Sequence, residues 1–298
     1  MELRTLRSFL SVAQEGNVTR AARALHITQP ALSRQLLDLE RELGCELLIR
    51  ESRGVTLTDE GLILRKRAEE ILELADRAEQ EIRSPQATVE GDVWIGCGES
   101  RAVELVARVA SRMAREHPGV RIRLFSGNGD DVAERIDKGL LDFGLFMGRE
   151  PDGQHECLEL PWRDRWGVLM RRDHPLALYD RVSLNDLRDQ RLIVSTQSRR
   201  ASGQHEPTLA ALEDQGFVVC ATYTLLYNAS LLVEQGVGVA ICFDGIVSAG
   251  EGTPFAFVPL DNTEPITSTL VWKRFAPLSR ANELFLATLR EQIAHTSD

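Results

Sequence analysis

Apolar positions follow a helical period through the first 83 residues and a shorter, mixed period after residue 91. Ala21, Ala22 and Leu25 recur at three- and four-residue spacing and predict one helix. His26 and Ile27 break the stripe as a corner. Leu32, Leu36, Leu39 and Leu43 then recur at spacings of four, three and four, predicting a second helix with one core face. Thr28 offers a hydroxyl as its N-cap, and Pro30 falls in the first turn, where a missing N–H does no harm. Residues 44–58 hold two short apolar runs, 47–49 and 55–57, around the polar turn Arg50-Glu51-Ser52-Arg53-Gly54. That pattern predicts a β-hairpin.

A third, longer helix follows over 59–83. Leu64, Ala68, Ile71, Ala75, Ala78 and Ile82 recur at spacings of four, three, four, three and four along roughly 39 Å of helix. Thr58 can cap it, and Asp59 and Glu60 suit the positive end of its dipole. Pro85 ends the pattern, and 84–91 reads as a hinge. Beyond it, strand patterns at 93–96, 120–125, 143–146, 166–171, 192–195, 217–223, 239–243, 255–259 and 268–272 alternate with helical patterns at 101–116, 130–138, 183–187, 208–215, 227–235 and 279–295. This βα rhythm predicts an α/β region of parallel-rich sheets covered by helices.

The second helix carries candidate chemistry on its outer face. Gln29, Ser33 and Arg34 are exposed near its N-terminus. Gln pairs with adenine, Arg with guanine or phosphate, and Ser with either. An ordinary helical hairpin with a polar face is the competing reading, and charge weighs against it. The chain has a net charge of −10, yet Arg4, Arg7, Arg20, Arg23 and Arg34 stand against the single acid Glu15 in residues 3–37. A basic stretch on an acidic protein points to a polyanion. The hairpin then reads as a wing whose arginine-bearing tip can reach the backbone or minor groove. The narrow stripe on the third helix suits a coiled-coil seam between two copies, as a helix reading a palindrome requires. Packing against its own domain is the alternative.

Leu6, Phe9, Ala21-Ala22, Leu25, the run Thr28-Gln29-Pro30-Ala31-Leu32-Ser33, Leu39-Glu40, Leu43-Gly44, Leu47-Leu48, Arg50 and Leu57-Thr58-Asp59-Glu60-Gly61 resemble, in order, the LysR-type transcriptional regulators. Leu48 stands where the family usually has Phe. The resemblance implies a winged helix-turn-helix over 1–58, a linker helix over 59–83 that dimerises through the six seam residues, and an effector domain of two lobes shaped like a periplasmic binding protein. The chain would cross between lobes near Pro161 and Thr267, giving one lobe of 92–161 with 268–298 and another of 162–267. Thr28, Gln29, Pro30, Ser33 and Arg34 would face double-stranded DNA, with Arg50 or Arg53 on the backbone. The implied partners are an operator, a small-molecule effector, a second copy or a dimer of dimers, and RNA polymerase.

A ligand belongs in the cleft at the carboxyl ends of the strands. The loop Gly96-Cys97-Gly98-Glu99-Ser100-Arg101 and the hydroxyl-rich Ser195-Thr196-Gln197-Ser198 are the main candidates, with Asn128, Phe146 and Asn228 behind them. Two helix N-termini facing one cleft would favour an anion, whereas Glu99 would repel it or seat an amine.

Several classes fall away. No catalytic constellation is present: Gly236-Val237-Gly238 follows a helix rather than a strand, and Ser100 does not sit between glycines as a nucleophile elbow demands. His155 and Cys157 lack further ligands at metal spacing, and no cofactor motif occurs. The five scattered cysteines suit reduced thiols, and Cys97 has no resolving partner nearby. Charges interrupt every apolar run at the N-terminus, so a cytoplasmic protein without a membrane segment is expected. An exported solute-binding protein and an α/β enzyme fused to a DNA-binding domain are the competing classes. Export would separate the first from a regulator and turnover the second.

Overall fold

The computed structural model describes residues 1–51, 54–83, 89–148, 153–196 and 207–296. Contacts divide it into two units, Met1–Ser84 and Pro85–Asp298. In the first, α1 (Leu3–Glu15) buries Leu6, Phe9 and Val12 and stops at Gly16 in the left-handed region. α2 (Val18–Ala24) starts at Asn17, whose side chain accepts the Thr19 and Arg20 amides at 2.9 and 3.0 Å. The corner is formed by His26 at φ 54° and by the Ile27 amide, which donates to Ala22 O at 3.0 Å. α3 (Gln29–Leu43) buries Leu32, Leu36 and Leu39. Two expectations need correction. Thr28 has the extended backbone of an N-cap, but its side chain makes no cap hydrogen bond. Leu43, placed by its spacing on the core face, is 41% exposed where α3 runs past the domain's edge.

The hairpin pairs β1 (Leu48–Glu51) with β2 (Gly54–Leu57), Leu48 opposite Leu57. Glu40 on α3 seats it, accepting the Leu47 and Leu48 amides at 2.8 and 3.2 Å. Val55 donates to Gly16 O at 2.9 Å, tying the hairpin to the α1–α2 turn. α4 (Asp59–Arg83) begins at Thr58, whose hydroxyl accepts the Gly61 amide at 3.0 Å and donates to Glu46 O at 2.8 Å. A Cβ on Gly61 would stand 2.2 Å from Leu47 O, so only glycine fits this crossing.

The second unit holds two five-stranded sheets. The first has the order β4-β3-β5-β12-β6, from β3 (Gly91–Cys97), β4 (Val120–Ser126), β5 (Phe143–Met147), β6 (His155–Asp164) and β12 (Ile266–Lys273). The second has the order β11-β7-β10-β8-β9, from β7 (Trp166–Arg171), β8 (Arg191–Ser195), β9 (Val218–Tyr223), β10 (Val239–Phe243) and β11 (Phe255–Pro259). β3, β4 and β5 run parallel, as do β8, β9 and β10, while β12 and β7 run antiparallel to their neighbours.

Helices α5 (Val103–Glu116), α6 (Gly129–Asp137) and α9 (Arg280–Thr296) belong to the first lobe, and α7 (Leu209–Asp214) and α8 (Leu226–Glu234) to the second. The stretch expected as a helix at 183–187 is a 3-10 turn, Leu184–Leu187, held by a Ser183–Asp186 capping box. β6 has no counterpart among the strands read from the sequence, because Pro161 interrupts its alternation. As an edge strand it tolerates the proline. The chain leaves the first sheet at Arg165, beyond Pro161, and returns on β12 from Ile266. Separate cores fill the lobes, one around Phe143, Trp272 and Phe285 and another around Trp166, Val168 and Ile241.

Candidate functional site

Three leucines turned inward leave the other face of α3 in solvent. Gln29, Pro30 and Arg34 are exposed and Ser33 is half-buried. Gln29 Nε2 donates to Ser33 Oγ at 2.9 Å, one helical turn on, which fixes the Gln29 amide along the face. Among the described residues, Arg34 has no ion-pair partner. The rest of the basic stretch is less available than its count suggests. Arg7 pairs with Asp76 on α4, and Arg20 pairs with Glu15 at 3.4 Å. Arg50 is exposed on β1. Arg53 lies outside the described residues.

The stripe on α4 is divided. Ala68 is fully buried, packed with Leu72 against Leu6 of α1, and Leu64 and Ile71 pack on the same cluster with Leu10. These residues serve the chain's own domain, which corrects the expectation of one uninterrupted seam from Leu64 to Ile82. Ala75 is half-buried, and Ala78 and Ile82 are exposed, Ile82 at 83%. A neighbouring apolar face escaped the sequence reading: Ile63 and Leu74 are 66% and 38% exposed, with the Arg67–Glu70 pair (2.9 Å) between them.

In the second unit, the loop after β3 reaches across to the other lobe. The Glu99 carboxylate accepts the Leu226 amide at the start of α8, whose N-cap residue Leu225 makes no side-chain cap. Arg101 lies against the turn at Gly245, where a Cβ would stand 2.0 Å from Arg101 Cδ, and covers the Trp162 ring at 5.2 Å. Between these contacts, Ser100 Oγ donates to Asp164 at 3.0 and 3.2 Å and accepts the Ala102 amide at 3.0 Å. Ser268 Oγ donates to the same Asp164 carboxylate at 2.9 Å. Asp164 thus fastens the loop to both strands that join the lobes. Sequence reasoning missed it because its partners lie 64 and 104 residues away along the chain.

The remaining candidates separate into different roles. Thr196 donates through its amide (2.9 Å) and its hydroxyl (3.2 Å) to Tyr223 O, where β8 and β9 end. Asn228 is exposed in the first turn of α8. Ser198 lies outside the described residues. Asn128 is the N-cap of α6, accepting the Asp131 amide at 2.8 Å. Phe146 is buried with Val132, Ile136, Leu141 and Val271 and belongs to the core. Gly96 does not open the backbone to a ligand: a Cβ there would meet Leu141 Cδ1 at 2.5 Å. The expectation of unfilled helix N-termini is corrected for α5, and at α8 for the first amide. The Val103, Glu104 and Leu105 amides at the start of α5 donate to Ser100, Arg101 and Ala102 carbonyls, and Glu99 takes the Leu226 amide of α8.

Burial pushes the Asp164 carboxyl above the ordinary carboxylate range, against the Ser268 and Ser100 hydrogen bonds that pull it down. The native state therefore holds this proton more tightly than the unfolded chain does. Stability of the second unit falls as pH rises from the ordinary carboxylate range through the raised native value, then levels off. In the full-length Asp164→Asn variant this slope is lost, read as the melting temperature of the second unit across a pH series. A slope identical to the parent's would assign the dependence to another group. Burial likewise raises the Cys97 thiol, which keeps it protonated and unreactive. His155 sits 3.2 Å from Asp137, and the described residues hold no group of His, Cys, Asp and Glu placed to bind a metal. No helix among them is long and apolar enough to cross a membrane.

Known proteins share both units. Residues 3–62 match the family model described as bacterial regulatory helix-turn-helix protein, lysR family, and residues 86–294 match LysR substrate binding domain. The Hca operon transcriptional activator HcaR of Escherichia coli is 33% identical over 301 residues, spanning 99% of each chain. Among solved structures, full-length CbnR complexed with its target DNA superimposes with a TM-score of 0.76 at 21% identity, covering 98% of this chain and 100% of the other. Full-length BenM gives 0.53 at 26% identity, covering 100% and 98%.

Proposed function

The chain belongs to the LysR family of ligand-responsive transcriptional regulators, and from that premise we propose that it reads its operator with the Gln29–Ser33–Arg34 face of α3 and takes its effector between the two lobes, beside the loop 98–101 and Thr196. The observation that carries the first half is the orientation of α3. Leu32, Leu36 and Leu39 are turned into the core, and Gln29 and Arg34 are left on the surface. Arg50 holds the flanking backbone, and Arg53 is assigned the same role.

Support for the second half lies in how the lobes meet. Glu99 and Arg101 leave one lobe and end on Leu226 and Gly245 of the other, while Ser100 between them is held by Asp164 at the strands that join the lobes. A molecule inserted there changes contacts on both sides at once. It has differential affinity for open and closed lobes, and this is what allosteric coupling requires. The chain acts in the cytoplasm as a pair of copies joined through the exposed face of α4, or as a dimer of such pairs, with RNA polymerase as the further partner.

Selection of bound fragments from genomic DNA tests this reading. The expected result is a small set of promoter fragments containing an inverted repeat, retained by the full chain in gel retardation. A compound that alters this retardation should lose its effect in Thr196→Trp, where the indole fills the proposed site. Enrichment of no sequence would remove the operator reading. A compound effect untouched by Thr196→Trp would move the effector elsewhere.

A further inference from the structure

The hydrogen-bond directions between the lobes specify what kind of molecule enters there. A hydroxyl has one proton and two lone pairs. Ser100 gives its proton to Asp164 and already accepts the Ala102 amide, so one lone pair is left. Thr196 gives its proton to Tyr223 O, and Tyr223 gives its own to Ile241 O at 2.8 Å, so both are left with acceptor capacity only. Glu99 is a carboxylate with lone pairs beyond the one used by Leu226. The amides opening α5 are taken by Ser100, Arg101 and Ala102 carbonyls. Among the described residues, Arg165 pairs with Asp244 at 3.0 Å, and Arg101 with Glu104 at 3.6 Å and the Trp162 ring. Asn228 offers donors and acceptors alike and discriminates nothing.

Resting on the reading that the effector lies between the lobes, we infer that this effector is a donor-bearing cation, an amine or ammonium compound, with Glu99 as its counter-ion and Ser100 and Thr196 as acceptors. A carboxylate would meet the like charge of Glu99 and the lone pairs of Ser100 and Thr196. Burying an anion against unpaired acceptors and a like charge is costly. An ammonium group satisfies the same acceptors and gains the charge-assisted bond to Glu99.

The test is a thermal-shift titration of the full chain with shape-matched pairs: benzylamine against benzoate, butylamine against butyrate, and putrescine against succinate. Amines are expected to raise the melting temperature of the second unit while their matched acids leave it unmoved. Glu99→Gln keeps a carbonyl for the Leu226 amide but removes the charge, and it weakens amine binding at least about tenfold. Glu99→Asp retains the charge and most of the shift, which separates loss of charge from loss of fold. Shifts from acids alone, from neither series, or from amines indifferent to Glu99→Gln overturn the inference. Acid shifts that vanish in Thr196→Trp leave the site between the lobes standing and reject only the ligand class. Shifts that survive both Ser100→Trp and Thr196→Trp reject the site itself.

Discussion

Arg34→Ala is expected to lower affinity for the selected operator by at least about 30-fold while leaving weak, salt-sensitive binding to random DNA. A good base-edge contact contributes about 1–3 kcal/mol, and a paired regulator makes it twice. Arg34 is exposed on the first turns of α3 and has no ion-pair partner among the described residues, so truncation removes the proposed DNA contact and little else. Gln29→Ala has the same sign. Ser33→Ala has a smaller one, acting by releasing the 2.9 Å bond that orients the Gln29 amide. Arg50→Ala is the contrast. A backbone contact carries no sequence information, so its loss spreads evenly over all DNA and makes the salt dependence shallower. Retardation assays at several salt concentrations separate the two patterns. Operator binding of Arg34→Ala and Gln29→Ala indistinguishable from the parent would mean that α3 does not enter the groove.

Legibility in the sequence tracked the range of the interactions. Leu32, Leu36 and Leu39 announce α3 because helix packing writes itself at three- and four-residue spacing. Thr58 and the acidic pair after it mark the start of α4 for the same local reason. Position 161 was uninformative because proline hides an edge strand whose pairing partner, β12, comes about a hundred residues later. The effector region was legible as a loop but not as a network. Ser100 stood out as a hydroxyl after a strand, whereas its partner Asp164 is found only once β6 joins the sheet, and the capture of the Leu226 amide by Glu99 only once the lobes meet. The same limit misassigned Ala68. A stripe of small and branched residues looks alike whether it faces a second copy or the chain's own α1, and only the fold distinguishes them.

That distinction gives the other large effect. Ala68→Asp places a carboxylate between α4 and Leu6 of α1, among Leu64, Ile71 and Leu72. An unpaired buried charge costs several kcal/mol, comparable to the whole stability of a small domain, so the first unit should melt and operator binding disappear with it. Ile82→Asp and Leu74→Asp act on exposed positions, and the chain should keep its melting temperature. If α4 pairs through the face bearing Ile63, Leu74, Ala78 and Ile82, each substitution sets two carboxylates into the contact between copies. Light scattering should then show the single-chain mass of about 33.3 kDa rather than a multiple. Operator affinity should fall more than about a hundredfold, because the second half-site is no longer held nearby. The two classes of variant therefore lose DNA binding by different routes, one through unfolding and one through dissociation, and calorimetry beside scattering tells them apart. An unchanged oligomeric mass in both Ile82→Asp and Leu74→Asp would place the pairing surface elsewhere and leave α4 as a strut for its own domain.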